Sequence, residues 1–340
     1  MRQYLTVTNA PWAADDNDGI DTVHLILNRL APSTQRTYSS HVIKFMDFCI
    51  DKGVDPFVDN IAAIIVLYPA WLLRHGISGQ SISNYLSALK AFFLTVNRDT
   101  AVLSTGHLTM ARRGAARMVD LSRTRPHRPF PVILMVRILL WGLRAQDSTS
   151  IRLATAIVLT FCFLCREHTT AFLEHRDFEL TDTQLSIVLR AEKGKPERDL
   201  QPRELRIPRN EYNHMLFALF EKFDDIRRGA PTGSLWNLQR KPQPRQINDW
   251  LRRVCRILGF GDYTAHDLRH GGTSAAMAID ANPVWVQHTG GWRRIQTMYD
   301  TYVHLTEPSP NAWIFFSHLR SRDRVTLDND LGQTSPSALS

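Results

Sequence analysis

The sequence predicts a two-domain protein of the α+β class, mainly α-helical with a small β-hairpin or sheet. The chain has 340 residues, more than one hydrophobic core usually holds, so two domains are expected. Apolar residues recur every three to four positions through most of the chain, which is the period of amphipathic helices. Strict alternation, the period of strands, is confined to QLSIVLRAE and RELRIP, and these two stretches predict the hairpin.

The first domain is predicted over residues 31–100, after a loosely ordered arm at residues 1–30 that has weak periodicity and an acidic patch, DDNDGID. In PSTQRTYSSHVIKFMDFC, Ser33 or Thr34 can cap a helix that runs to Gly53. Two further apolar segments, IAAIIVLYPAWLLRHG and SISNYLSALKAFFLTV, follow, and the second places its large side chains along one helical face. The pattern predicts a small helical bundle.

Residues 101–129 separate this bundle from the next apolar region and are rich in arginine. We expect a basic linker there, either solvated or lying along a phosphate backbone. Its candidate DNA-binding residues are Arg112, Arg113, Arg117, Arg123, Arg125 and Arg128.

The second domain is predicted over residues 130–322. It begins with the apolar stretches VILMVRILLWGL and IRLATAIVLTFCFLC, which look like buried helices. The hairpin follows, with EKGKPERDLQP as its loop, and helical patterns then return as far as the HDLRH segment. The last stretch, residues 323–340, has the polar composition of a disordered tail.

Composition restricts the classes of function. The net charge is +8 and the pI is about 9.5, with arginine as the main basic residue, which favours a polyanionic partner such as nucleic acid. Four cysteines are too few for a disulfide scaffold, and the C-x-x-C of Cys162 and Cys165 has no second pair, so we expect core helix residues there and no metal site.

Neither a membrane span nor a secretory signal is predicted. No apolar run approaches the roughly 20 residues of a membrane-spanning helix, and the N-terminus lacks a basic start followed by an apolar stretch. The protein is therefore expected inside the cell, in the cytoplasm if it is prokaryotic or viral and in the nucleus if it is eukaryotic.

The stretch TAHDLRHGG concentrates groups suited to phosphate chemistry. Thr264 and Asp267 have the spacing of a capping box, which starts a helix. His266 and Arg269 then lie three apart on one helical face, so that a proton-transfer group and a cation are directed to one place. The segments FLCREH and EKGKPER precede this motif, and TGGWRR and MYDTYVH follow it.

This ordered set resembles the tyrosine site-specific recombinases, also called the phage integrase family, and the resemblance covers most of the chain. In that family an arginine, a lysine in a β-hairpin, H-x-x-R, a His or Trp after a Gly, and a tyrosine follow one another. The resemblance implies a helical N-terminal core-binding domain and a catalytic domain that together clamp double-stranded DNA. It also implies a homo-tetramer assembled on DNA, with no metal or other cofactor.

Matched residue by residue, the resemblance assigns catalytic roles to Arg166, Lys193, His266, Arg269, Trp292 and Tyr302. Arg166 and Arg269 would neutralise charge on the scissile phosphate. His266 would take the proton of the attacking phenol. A hairpin lysine would protonate the leaving 5′ oxygen, and Lys195 is the alternative to Lys193 if the loop shifts.

Two tyrosines compete for the role of nucleophile. Tyr299 lies seven positions and Tyr302 ten positions after Trp292, and neither spacing is the usual one in the family. Tyr302 is favoured because it needs only a one-residue insertion and is followed by Val-His, similar to the family's Y-x-H ending. Tyr299 remains the alternative, and Trp292 can offer only its indole N–H.

The expected function is site-specific DNA recombination or integration through a 3′-phosphotyrosine intermediate, by a protein of a mobile element. Two alternatives remain. Thr169 stands where family members often carry an acidic residue, so the chain could be a recombinase-derived DNA-binding protein without cleavage activity. A type IB topoisomerase shares the chemistry and reseals the same strand.

The aromatic segment NAWIFFSHLRSR near the C-terminus also has two interpretations. The resemblance suggests a helix that docks on a neighbouring protomer. The same apolar residues could equally pack on the domain that carries them.

Overall fold

The computed structural model describes residues 29–56, 61–96, 98–118, 128–190, 202–228, 233–236, 243–304 and 308–319. The chain divides into two compact units, Met1–Pro126 and His127–Ser340. The described residues are mainly helical and include one three-stranded antiparallel sheet, which confirms the predicted fold class. The predicted tail and nearly all of the predicted N-terminal arm lie outside these ranges. None of the helices described is long and apolar enough to cross a membrane.

In its described part the first unit forms the helices α1 (Pro32–Lys52), α2 (Ile61–Ile65), α3 (Tyr68–Arg74), α4 (Ile82–Thr95) and α5 (Gly106–Arg117). Aromatic side chains form much of their core. Phe45 and Phe48 of α1 lie 5.3 and 5.1 Å from Tyr68 of α3, measured between ring centroids. Such tilted and edge-on ring pairs add to the stabilisation from burial alone.

Helix α1 ends as predicted but begins differently. Gly53 caps its C-terminus with a φ of 61°, a left-handed conformation that glycine adopts without a steric cost. At the other end Ala31 is the N-cap and makes no side-chain hydrogen bond, so the predicted cap at Ser33 or Thr34 is wrong. Pro32 is the first helical residue, a position that suits its restricted φ and its missing N–H.

The stretch predicted as a basic linker is helical over much of its length. Thr105 caps α5, accepting from the backbone N–H of Leu108 at 3.4 Å. Leu108 and Ala115 are buried in the core of the first unit, whereas Arg113 and Arg117 are exposed. The structure therefore differs from the linker prediction for 101–129, because the outward-facing arginines obscured an amphipathic helix in the sequence.

The second unit forms α6 (Val132–Arg144), α7 (Ser148–Cys162), α8 (Glu167–Ala171), α9 (His214–Arg227), α10 (Gln246–Ile257), α11 (Ala265–Ala278), α12 (Pro283–Gly290), α13 (Ile295–Tyr302) and α14 (Trp313–Phe316). Helix α7 is buried along most of its length and packs against α6, α9, α10 and α11. It begins at the N-cap Asp147, whose Oδ1 accepts from the backbone N–H of Ser150 at 2.8 Å. Cys162 ends this helix and Cys165 lies in the turn that follows it, so only Cys162 is the core helix residue predicted. Both thiols are buried, and the described residues contain no cluster suited to a metal.

The sheet has the order β1 (Phe178–Leu180), β2 (Gln184–Leu189) and β3 (Arg203–Pro208). The predicted hairpin is confirmed as β2 and β3, with Leu185 opposite Ile207. Strand β1 was not predicted, because three residues are too few to show an alternating pattern.

The aromatic C-terminal segment packs on its own unit. Phe315 and Phe316 are fully buried, and their rings lie 5.4 and 5.3 Å from that of Phe161 in α7. The backbone N–H of Asn282 donates to the carbonyl of Leu319 at 3.0 Å. Of the two interpretations of this segment, the structure shows the one in which it folds back.

Gly79→Ala is expected to lower the free energy of unfolding of the first unit by about 1–3 kcal/mol, because the added Cβ would overlap the backbone of Ala115 in α5. Gly114→Ala, within α5 itself, is the control. Its Cβ meets nothing within 4 Å, so it should raise the free energy of unfolding by about 0.5–1 kcal/mol. Urea unfolding followed by circular dichroism measures both, and equal values would contradict the close approach of α5 to Gly79.

Candidate active site

Helix α11 carries the H-x-x-R pair. Its N-terminus is the predicted capping box, in which Thr264 N–H donates to Asp267 Oδ2 at 2.7 Å and Asp267 N–H donates to Thr264 Oγ1 at 3.4 Å. This prediction is confirmed. His266 is exposed, whereas Arg269 is only 1% exposed.

The Arg269 guanidinium joins three separate parts of the second unit. Its Nη1 donates to the carbonyl of Leu164 at 2.6 Å, in the turn after α7. Its Nη2 donates to the carbonyl of Gly290 at 2.8 Å, at the end of α12. Its central carbon lies 4.0 Å from the centroid of the Trp292 ring, a favourable position for a cation over an aromatic face.

Burial lowers the pKa of Arg269 to about 10, the neighbouring Tyr302 partly offsets this effect, and the charge of Arg166 adds to it. A pKa of about 10 leaves the guanidinium charged at neutral pH. Arg166 is the half-buried N-cap of α8, two residues after Leu164, which has a φ of 50°. The unusual turn after α7 thus brings the second cation close to Arg269.

Two glycines, Gly290 and Gly291, determine where the Trp292 ring can lie. A Cβ at Gly290 would overlap the indole ring, and Gly291 caps α12 with a φ of 69°. The indole Nε1 is buried and has no hydrogen-bond partner among the described residues, and the same holds for Nε of Arg269. Buried donors are nearly always paired, so two adjacent donors without an acceptor favour an anionic ligand at this place.

Tyr302 is the last residue of α13 and is only 8% exposed. Its ring centroid lies 4.9 Å from Trp292, 5.4 Å from His266 and 4.9 Å from the guanidinium carbon of Arg269. Tyr299, one turn earlier, is 38% exposed. The structure therefore places Tyr302 in the cluster that contains the H-x-x-R pair.

No family model matches the sequence, and no curated protein matches it either. Solved structures do match in fold. The recombinase XerH bound to its difH substrate has a TM-score of 0.57 at 15% identity, over 88% of this chain and 79% of that one. The Tn1549 transposon integrase with transposon right-end DNA has a TM-score of 0.56 at 15% identity, over 90% and 95%. A lambda integrase dimer bound to a core site has a TM-score of 0.54 at 17% identity, over 83% and 95%.

The chain has the fold of the tyrosine recombinases. On this recombinase fold the hairpin loop that contains Lys193 and Lys195 lies outside the described residues. The first residue of β3, Arg203, donates to the carbonyls of His288 and Thr289 at the end of α12. The hairpin is thus tied to the helix whose last residue, Gly290, begins the Gly-Gly-Trp segment.

The remaining candidates are distributed over both units of the recombinase fold. Arg112, Arg113 and Arg117 lie on α5 of the first unit, and Arg128 is exposed at the start of the described part of the second. Arg123 and Arg125 lie outside the described residues. Thr169, the residue that departs from the family pattern, is buried within α8.

Three exposed arginines on α10 that could contact DNA were not predicted from the sequence, namely Arg252, Arg253 and Arg256. This helix adjoins the H-x-x-R helix, because Asn248 Oδ1 accepts from the backbone N–H of Ala265 at 2.9 Å. The signal was present in WLRRVCRI, where the apolar side chains occupy one face and the arginines another. Two other missed residues, His270 and Ser274, contact Tyr302. His304, noted in the sequence only as the end of the Y-x-H pattern, is bonded to Ser274.

Trp236→Phe is expected to lower the free energy of unfolding by about 0.5–1.5 kcal/mol more than Trp292→Phe. Both substitutions shrink a buried indole, but Trp236 Nε1 donates to the carbonyl of Thr170 at 2.8 Å, and this carbonyl would keep only its longer bond from the backbone N–H of Leu173 at 3.3 Å. Nε1 of Trp292 has no such partner in the described chain. Urea unfolding of the two variants under identical conditions measures the difference, and an equal or larger loss of stability for Trp292→Phe would contradict the prediction.

Proposed function

We propose that the chain is a site-specific DNA recombinase or integrase that cleaves and rejoins strands through a 3′-phosphotyrosine intermediate. The observation that carries the proposal is the position of Tyr302 beside two buried N–H groups, on Arg269 and Trp292, that have no acceptor among the described residues. An anion bound by those groups would lie next to the phenol. A phosphodiester is such an anion, and structures of this fold have been solved in complex with DNA.

The two arginines and the tryptophan would bind the scissile phosphate. Guanidinium groups form directed, charge-assisted hydrogen bonds to phosphate oxygens, so Arg166 and Arg269 would stabilise the charge that builds during attack. Trp292 would add one hydrogen bond. Its indole N–H is a donor only and cannot act as a general acid or base at neutral pH, so its role is binding alone.

In the cleavage step the phenol oxygen of Tyr302 would form a bond to phosphorus while the bond from phosphorus to the 5′ oxygen breaks. A phenol is a weak nucleophile while it keeps its proton, so His266 would accept that proton as a neutral imidazole. The leaving 5′ oxygen would take a proton from Lys193 or Lys195. A 5′ hydroxyl later attacks the phosphotyrosine, re-forming the phosphodiester and releasing the Tyr302 phenol. The phosphotyrosine bond retains the energy of the phosphodiester, so no nucleotide cofactor is required. Arg166 and Arg269 would neutralise the phosphate charge that a metal ion neutralises in other phosphoryl transfers.

The proposal includes a homo-tetramer that exchanges strands between two double-stranded DNA sites inside the cell. We also propose an origin in a mobile element, since a transposon integrase is among the proteins of this fold that the chain resembles. Thr169 supports a second candidate, a DNA-binding protein without cleavage activity. A type IB topoisomerase would form the same covalent intermediate but would reseal the original strand.

Covalent trapping tests the chemistry. The protein is incubated with nicked duplexes made from the DNA that flanks its own gene, together with a random-sequence nicked library, and is then denatured. Tyr302→Phe should abolish the protein–DNA adduct, because no other described tyrosine lies against Arg269, and Tyr299→Phe should retain it. Loss of the adduct in Tyr299→Phe alone would reverse the assignment.

Further outcomes of trapping separate the candidates. DNA binding without an adduct on any duplex would contradict the recombinase proposal and favour the inactive DNA-binding protein. An adduct that only reseals its own strand, with no joining to a second duplex, would favour the topoisomerase. Peptide mapping of the adduct then identifies the linked tyrosine directly.

The exposed arginines of α10 are proposed to bind DNA phosphates, as are those of α5 in the first unit. Arg253→Ala combined with Arg256→Ala should weaken binding to all sequences about equally. The double substitution should also reduce the slope of log K against log salt by about 0.9 for each phosphate that the protein no longer neutralises. Fluorescence anisotropy at several salt concentrations measures the slope. Arg228→Ala is the control, since this exposed side chain is paired with Asp224 at 2.9 Å, and an equal effect there would argue against a specific surface on α10.

A further inference from the structure

A stripe of three polar residues runs along α11 beneath the C-terminal end of α13. His266, His270 and Ser274 are spaced four apart, which places them on one side of the helix. His266 is exposed, but His270 is fully buried and Ser274 is only 2% exposed. The proposed reaction uses His266 alone, so the two buried members of the stripe have no assigned role.

The imidazole ring of His270 packs against the phenol ring of Tyr302. Its ring centroid is 4.7 Å from that of Tyr302 with an interplanar angle of 33°, and 4.7 Å from that of His266. Its Nδ1 lies 2.8 Å from Nε2 of His304, the residue two positions after the tyrosine. One ring must donate and the other accept in this hydrogen bond, so each imidazole determines the tautomer and the orientation of the other.

Ser274 holds the main chain on both sides of the same point. Its Oγ donates to the carbonyl of Tyr302 at 3.1 Å and accepts from the backbone N–H of His304 at 2.9 Å. These bonds matter because α13 ends at Tyr302, so no following helical turn restrains that residue. Helix α11 supplies the restraint instead.

We propose that His270, Ser274 and His304 are positioning residues that hold the Tyr302 phenol in line with the scissile phosphate. The inference rests on the proposed function. Ser274 restrains the backbone of Tyr302, His304 is anchored by the same hydroxyl, and the anchored His304 orients the His270 ring that packs against the phenol. Attack on phosphorus depends on such alignment, since a displacement of about 1 Å can slow a reaction about 100-fold.

The test exploits a pair of His304 variants. Glutamine can place an amide nitrogen or oxygen near the position of the missing Nε2 and so can still pair with His270, whereas leucine fills similar space without a polar group. His304→Leu should slow adduct formation at saturating DNA at least about 10-fold while DNA affinity stays within about two-fold. His304→Gln should recover the rate to within about three-fold of wild type.

His214→Leu is the matched control. This histidine is exposed in the same unit, and its Nδ1 lies 3.2 Å from the neighbouring backbone carbonyl of Glu211. Its substitution should leave the rate of adduct formation unchanged. Ser274→Ala provides a second route to the same result, because it removes both backbone bonds at once, and it replaces His304→Leu if that variant does not fold.

A readout without DNA separates this inference from the proposed function. In protein labelled with 3-fluorotyrosine, the fluorine resonance of Tyr302 is assigned by its disappearance in Tyr302→Phe. His304→Leu or Ser274→Ala should shift or broaden that resonance, and His304→Gln should restore it. If wild type forms no adduct, the proposed function fails and this resonance still decides the positioning. A folded His304→Leu protein with an unchanged resonance and a wild-type adduct rate would overturn the inference.

Discussion

The arrangement of the second unit around its candidate site depends on the hydrogen bonds and the ring contact that the buried Arg269 guanidinium makes. Removing a charge from water costs several kcal/mol unless hydrogen bonds and nearby polar groups replace the missing hydration. Here the carbonyls of Leu164 and Gly290 provide part of that replacement, and the ring of Trp292 covers the cation. One side chain thereby ties α11 to the turn after α7 and to the end of α12, and both of those segments carry further residues of the candidate site.

Arg269 can reach these carbonyls because α11 packs unusually close to the segments that contain Phe130 and Phe161. A Cβ at Gly271 would overlap the backbone of Phe130, and one at Gly272 would lie 2.8 Å from the carbonyl oxygen of Phe161. Because these two residues have no side chain, the helix can pack closely against the core immediately after Arg269. The side of α11 that carries His270 and Ser274 contacts Tyr302. The two glycines therefore bring α11 close to the core, and the same helix holds the side chains that contact Tyr302.

The cluster around Tyr302 contains buried donors that the described residues leave without an acceptor. In a cluster that served stability alone, every buried N–H group would donate to an acceptor within the protein. Here Nε of Arg269 and Nε1 of Trp292 have no acceptor among the described residues. Buried donors of this kind destabilise a fold by about 1–3 kcal/mol each. A bound anion with several oxygens would relieve that cost, which is the physical basis of the phosphate site proposed above.

The sequence by itself determined the fold class, the hairpin and the chemical groups of the site, because capping at Thr264, alternation in β2 and β3, and the H-x-x-R spacing each depend on residues within a few positions. It obscured α5, whose arginines face outward, and the start of α1, where Ala31 is the N-cap in place of a polar residue. Only the tertiary structure decided that Tyr302 lies against Arg269 and that His304 pairs with His270. Those contacts join separate helices, and their geometry follows from how the helices pack, which no local pattern encodes.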